Sequence, residues 1–174
     1  MFLRCYKRFN VKPSSTLFPS LWIKLVCSLA WLACVSACTQ ARTTDTRFTF
    51  SANGAEVLDT KSGLTWQRCS LGQTWKDGTC IGSASKHSHK QAITLSKTKT
   101  GWRLPTIKEL ATLVDTNRGT PAIDLNAFPA APGDWFCTSS PYVGSADLAW
   151  YVDFLHGNSS PLNHEQRHHI RLVR

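Results

Sequence analysis

No acidic residue occurs before Asp45, no cysteine follows Cys137, and no apolar run is long enough to cross a bilayer as a helix. Each absence excludes something. The first leaves Arg4, Lys7, Arg8, Lys12 and Lys24 without counter-charge ahead of the apolar run from Leu25 to Cys38. That run has about 14 residues, against the roughly 20 that a spanning helix needs, which disfavours an uncleaved anchor. The second absence removes paired-thiol chemistry from the C-terminal end. No internal repeat is present either, so solenoids and propellers are out. Charged residues make up 18% and hydrophobic residues 42%, a balance that suits a folded globule.

A basic start, a short apolar core and a small-residue end describe an export leader. Its last residues, Val35-Ser36-Ala37-Cys38, resemble the lipobox of bacterial lipoproteins, in which the cysteine is acylated and becomes the new N-terminus. Several acyl chains hold a protein on a membrane where one lets go. The expected division is a signal peptide over 1–37, a small polar tether over 38–46 and one folded domain over 47–174. Thr39 and Gln40 stand where an aspartate would resemble an inner-membrane retention signal. The expected location is therefore the outer membrane, on its periplasmic side or at the cell surface.

Cleavage there removes five of the 20 basic residues and lowers the formal charge from +9 to +4, too little to argue for nucleic acid. It also removes Cys5, Cys27 and Cys34. An exported protein can keep disulfides. Cys69 and Cys80 bracket a turn-rich loop and are expected to pair, which would stabilise by about 2–3 kcal/mol. Cys137 is then left alone.

Arg47-Phe48-Thr49-Phe50 alternates like a strand. Val57-Leu58-Asp59 and Leu64-Thr65-Trp66 flank Thr60-Lys61-Ser62-Gly63 as a hairpin. Ser88 with Gln91, and Thr106 with Glu109, are capping boxes that open two helices. Ala92 and Leu95 share a face of the first; Ile107, Leu110, Leu113 and Val114 recur at helical spacing in the second. Trp135–Ser140, Ala149–Phe154 and His169–Arg174 read as strands. The fold class is α+β: two helices, short antiparallel strands and long loops.

His164-Glu165-Gln166-Arg167-His168 matches the zinc-protease pattern H-E-x-x-H. That chemistry needs both imidazoles on one helix face, a third ligand and an open coordination position. Pro161 precedes the pattern and an alternating hexapeptide follows it, so the match reads as coincidence in a solvated loop. Chance metal binding by His164, His168 and His169 is the lesser reading. The expectation is a protein without catalytic residues, metal or cofactor.

The stretch Gly101-Trp102-Arg103-Leu104-Pro105-Thr106-Ile107-Lys108-Glu109-Leu110 resembles the Lcl C-terminal domain family. Other segments agree in order: Glu56–Asp59 with Gly63–Trp66, Arg68-Cys69-Ser70 with Cys80, Ser139-Ser140-Pro141, Ala149–Phe154 and Arg171–Arg174. The resemblance implies a C-type-lectin-like fold whose first and last strands pair beneath a large loop region. It also implies an exported protein, often a lipoprotein; the founding adhesin's domain is associated with sulfated glycosaminoglycans. Within the motif, Trp102 and Leu104 can bury on one side, Arg103 can fork onto a carboxylate, Pro105 stops the extension and Thr106 caps the helix with Glu109. These are read as structural.

Two departures stand out: Cys137, and the basic segment between Ser85 and Thr100. Arg103-Leu104-Pro105-Thr106 with Glu109 is also similar to a stretch in formylglycine-generating enzymes, but their C-terminal reactive cysteines are missing. Neither Glu-Pro-Asn, Gln-Pro-Asp nor Trp-Asn-Asp occurs, and Asp124, Asp134 and Asp147 lack the oxygen density that calcium prefers.

The expected ligand is then an anionic glycan, drawn by Lys86, Lys90, Lys97 and Lys99 with His87 and His89 nearby, and stacked on exposed Trp75 or Tyr142. The alternative is a structural or assembly partner that binds another envelope protein. Mass spectrometry of the mature protein, disulfides intact, should find an acylated Cys38 at the N-terminus and Cys69 joined to Cys80. An N-terminus elsewhere would contradict the leader reading.

Overall fold

The structure, a computed structural model, describes residues 47–174. The expected signal peptide over 1–37, lipidation at Cys38 and tether over 38–46 lie outside the described residues. The described chain opens as an antiparallel sheet of β1 (Phe48–Phe50), β2 (Glu56–Asp59) and β3 (Leu64–Gln67). A two-stranded hairpin follows, β4 (Thr74–Lys76) with β5 (Thr79–Ile81). Then come α1 (His89–Lys97), α2 (Ile107–Ala111) and a 3-10 turn at Thr116–Arg118. A second three-stranded antiparallel sheet contains β6 (Trp135–Pro141), β7 (Leu148–Asp153) and β8 (Asn158–Asn163). The class is α+β with two helices and small antiparallel sheets, as expected.

Local sequence explains the element starts. Ser88 Oγ accepts the Gln91 amide while Gln91 Oε1 accepts the Ser88 amide. Thr106 and Glu109 repeat the arrangement on α2. Each cap stabilises its helix by about 1 kcal/mol. Asp59 closes the β2–β3 hairpin from inside: its fully buried carboxylate accepts two bonds from Arg47, at 3.0 and 2.8 Å, and others from the Lys61 amide and the Ser62 hydroxyl. Burial pushes the Asp59 pKa up, but these donors outweigh it and hold the carboxyl below its usual range.

The closing segment, residues 168–174, differs most from expectation. It is extended, yet it forms isolated bridges on several sides rather than one ladder. Toward β3, Thr65 and Arg174 exchange amide bonds of 3.0 and 2.9 Å, and the Gln67 amide donates to Leu172. Toward the α1–α2 connection, Arg103 and Val173 exchange bonds of 2.9 and 3.0 Å. Further back, the Leu71 amide donates to Ile170, the Cys137 amide donates to His169, and His87 pairs with His168. So the segment does not pair with the first strand; β1 pairs with β2, and β3 takes the closing segment. His168 and His169 are buried, so the expected solvated loop is confined to His164–Arg167.

Period-two alternation then sorts the core into two clusters. Val173 joins Val57, Trp66, Leu110, Phe128 and Phe136 in one. Ile170 and Leu172 join Ala92, Leu104, Ala149 and Tyr151 in the other. Cys137 sits in this second cluster as a buried free thiol, and burial pushes its pKa up to about 12. It packs as a small hydrophobe.

Arg171 packs against the first cluster, on the same side as Val173, with no solvent exposure. Its Nη1 donates to the carbonyls of Gln67 (2.9 Å) and Arg68 (2.6 Å), and Nη2 donates to Ser70 Oγ (3.2 Å). The guanidinium stacks 4.5 Å from the Phe128 centroid and 5.6 Å from that of Phe136. No carboxylate pairs with it among the described residues. Burial lowers its pKa to about 9, still high enough to keep the charge at neutral pH. Arg171→Met would keep the volume but strand two buried carbonyls and a hydroxyl. Urea unfolding should show a loss of about 3 kcal/mol; a variant within about 1 kcal/mol of the parent would mean that those acceptors find other donors.

Candidate ligand-binding site

The Cys69–Cys80 disulfide forms as expected and spans a Cα–Cα distance of 5.4 Å. It closes a segment that is more ordered than a loop. Lys76 pairs with Thr79, leaving Asp77-Gly78 as a two-residue turn with φ of 50° and 82°. Positive φ at both positions is what Asp-Gly supplies to a tight hairpin. The hairpin presents Trp75.

Trp75 is fixed rather than freely exposed. Its Nε1–H donates to the Asn53 carbonyl at 2.9 Å. Gly54 lies so close that an added Cβ would stand 2.9 Å from the indole, and its φ is +72°. Arg68 is layered between Trp75 and Phe50, at 4.2 and 4.3 Å from the two rings. Its nitrogens donate to the carbonyls of Gly54, Asn126 and Ala127 at 2.7–2.8 Å. Burial lowers the Arg68 pKa, and no carboxylate bonds it among the described residues.

Trp102, on the same cleft as this hairpin, is half-buried and packs against the second core cluster. The Arg174 guanidinium sits 4.8 Å from its ring and pairs with Glu56 at 2.6 Å. Trp75 and Trp102 line one open cleft of about 320 Å³, with Gln67, Gln73, Thr74 and Lys99 among their neighbours. Arg68 and Arg174 are not on the cleft wall. Lys99 makes no ion pair among the described residues, whereas Glu56 is neutralised by Arg174.

The expected site residues are not brought together. Trp75 and Lys99 share the cleft. Lys86 is held by Asp134 at 2.6 Å. Lys90 borders a separate shallow depression with His87, Gln91, Thr94 and Leu95. Lys97 lies two turns further along α1, exposed in its last turn. Tyr142 packs edge-on against Trp150 at 5.6 Å and 74°, in the β6–β7 connection. Lys90 and Lys97 share a face of α1 two turns apart, while Lys86 precedes the helix and Lys99 follows it, so the basic segment is strung out along the length of α1. Trp102, read from sequence as structural, does pack against the second core cluster, and it lines the cleft as well.

The rest of the motif is structural. Arg103 forks onto Glu109 with two 2.7 Å bonds, and Glu109 Oε2 also accepts the Thr106 amide. The Arg103 guanidinium, which outweighs the upward pull of burial, holds the Glu109 pKa at about 2. Leu104 and Pro105 are buried, and the Pro105 carbonyl accepts the Ser139 amide at 2.7 Å.

The H-E-x-x-H residues lie in a turn and the start of the extended closing segment, not on a helix. The His164 ring stacks on His89 at 4.5 Å, while His168 packs on Tyr151 at 4.7 Å. Among the described residues no three His, Cys, Asp or Glu side chains are grouped to hold a metal ion. No described helix is long and apolar enough to cross a membrane.

The fold and cleft together define a small disulfide-stapled α+β domain whose recessed surface is built from a hairpin and a connection. A family model for the Lcl C-terminal domain matches residues 55–174, and the chain belongs to that family. No curated protein and no solved structure matches it.

Glu109→Gln should cost about 1 kcal/mol at neutral pH, a modest figure because Arg103 is half-exposed and solvent screens the pair. The contribution of a depressed carboxyl is whole above its ordinary value of 4.5 and is lost as pH falls toward about 2. The gap between variant and parent in a thermal melt should therefore close below pH 4.5. A gap that stays constant to pH 2.5 would contradict the assignment.

Proposed function

We propose that this chain is an exported, lipid-anchored protein of the outer membrane whose lectin-like domain binds an anionic glycan without catalysing a reaction. The observation that carries the reading is the cleft itself. Two indoles, each in contact with a guanidinium, line the same recess beside Lys99, which makes no ion pair among the described residues. Sugar rings present C–H faces that pack on indoles, and such contacts stabilise by about 0.5–1.5 kcal/mol each. The guanidiniums beside the rings add positive potential, which favours carboxylated or sulfated rings over cationic ones.

Lys90 and Lys97 lie outside the cleft, and on this reading they add only a diffuse attraction that salt screens. Family membership supports a surface-protein domain, and the lipobox-like Val35–Cys38 supports the anchor. The absence of catalysis rests on the turn conformation of His164–Gln166 and on imidazoles engaged in ring contacts.

Binding to an array of neutral, carboxylated and sulfated glycans tests the proposal. Trp102→Ala and Lys99→Ala should each weaken binding about 3- to 10-fold, and Lys86→Ala should leave it unchanged. No binding to any glycan at low salt, with specific capture of one envelope protein through the same cleft, would replace the glycan with a protein partner.

A further inference from the structure

We propose that the junction between residues 85–89 and residues 164–169 is an acid-sensitive latch, which holds the start of α1 to the closing segment at neutral pH and opens locally under mild acid. The inference does not rest on the ligand proposal. Five imidazoles meet in this small interval. His87 and His168 exchange backbone bonds of 2.9 and 3.0 Å, and the His89 amide donates to the His164 carbonyl at 3.0 Å. The rings fill the space around these bonds. His89 lies parallel to His164 at 4.5 Å and edge-on to Tyr151 at 6.3 Å, and Tyr151 is in turn edge-on to His168 at 4.7 Å.

The polar atoms show what protonation would meet. His89 Nε2 bonds the Thr138 carbonyl at 3.0 Å, so that nitrogen carries the proton and donates. His169 Nδ1 likewise donates to the Ser85 carbonyl, at 3.2 Å. His164 Nε2, His168 Nε2 and Tyr151 Oη are buried and reach no protein partner. A proton added to His168 Nε2 would create a buried charged donor without a protein acceptor, which is costly. A second proton on His89 would put a buried cation flat against the neighbouring imidazole ring.

The surrounding charges offer little relief. Asp134 is the carboxylate that faces the junction, and it already binds Lys86 at 2.6 Å. Its other neighbour there is His169 Nε2 at 3.6 Å; among the described residues no carboxylate pairs with His87, His89 or His168, although His87 Nε2 bonds Ser85 Oγ at 2.8 Å and Asp134 pulls on His168 from a distance, a pull that burial outweighs. Arg167 adds a second cation, bonded through Nε and Nη2 to the Lys86 carbonyl. Cys137 faces the His87 carbonyl as a neutral thiol. Glu165 and Asp147 are exposed and form no ion pair with these rings.

Burial, foremost, together with neighbouring Arg167, His164 or Lys86, lowers the pKa values of His87, His89 and His168 below the usual 6.5. A depressed histidine stays neutral when folded and takes its proton when released. Its contribution is therefore whole above pH 6.5 and is lost as pH falls through that value toward the folded-state pKa. This window lies above the one in which the depressed carboxyls of Asp59, Glu109 and Asp134 respond.

Amide hydrogen exchange by NMR on the full chain at pH 7.5 and 5.5, corrected for the intrinsic rate, tests the latch without any variant. Protection at His87, His89 and His168 should fall by about tenfold per pH unit for each proton taken up, while Arg103 and Val173 keep theirs. The double variant His89→Gln, His168→Gln should flatten that dependence. Unchanged protection at the three amides, an equal loss at Arg103 and Val173, or an undiminished response in the double variant would each overturn the proposal.

Discussion

A buried guanidinium bonded to backbone carbonyls organises this domain. Arg171 is the point at which β3, the disulfide-bearing loop and the aromatic core of Phe128 and Phe136 meet, and it holds them through carbonyls, one hydroxyl and ring faces. Carbonyl partners are a weaker match for a cation than a carboxylate, but they lie on the backbone and fix its path. The closing segment can then be buried on both faces and bonded on both edges, with Val173 in one core and Leu172 in the other. Arg68 repeats the device on the far side of β3, with carbonyls of Gly54, Asn126 and Ala127 in place of an anion. Arginine suits both positions because its planar fork satisfies several acceptors at once, which lysine cannot do.

The cleft is a consequence of that framework. Arg68 is clamped by the backbone and in turn supports Trp75 through ring stacking. Arg174, placed by its amide exchange with Thr65, does the same for Trp102 while neutralising Glu56. Two aromatic surfaces are thus set by interactions that lie outside the recess, and the recess walls remain available. The disulfide supplies the remaining constraint, since it ties the base of the β4–β5 hairpin that carries Trp75.

What could be read from the sequence was local. Ser88 with Gln91, Thr106 with Glu109, the Thr60–Gly63 turn and the Cys69–Cys80 pairing each depend on partners within a dozen residues, and each is observed. The β4–β5 hairpin was equally local, and its Asp77-Gly78 signal was present but absorbed into a loop. β8 was not legible, because Asn158–Asn163 is polar and contains Pro161 opposite Trp150; as an edge strand it needs no apolar face and tolerates the proline. Alternation in His169–Arg174 correctly indicated an extended chain, but a period of two does not name the neighbour. The lysines are close in sequence, but the length of α1 stands between Lys86 and Lys99, and Asp134 takes Lys86. The packing of Trp102 against the second core cluster follows from its motif, but nothing within that motif reveals the contact with Arg174 or the place on the cleft wall.

Native-state hydrogen exchange over a series of urea concentrations tests the central role of the closing segment most directly. The amides of Thr65, Gln67, Val173 and Arg174, all bonded across that segment, should open only with global unfolding and share its denaturant dependence. If Val173 and Arg174 instead exchange through a local opening, insensitive to urea and with β3 still protected, the segment is an appendage and the account of this fold is wrong.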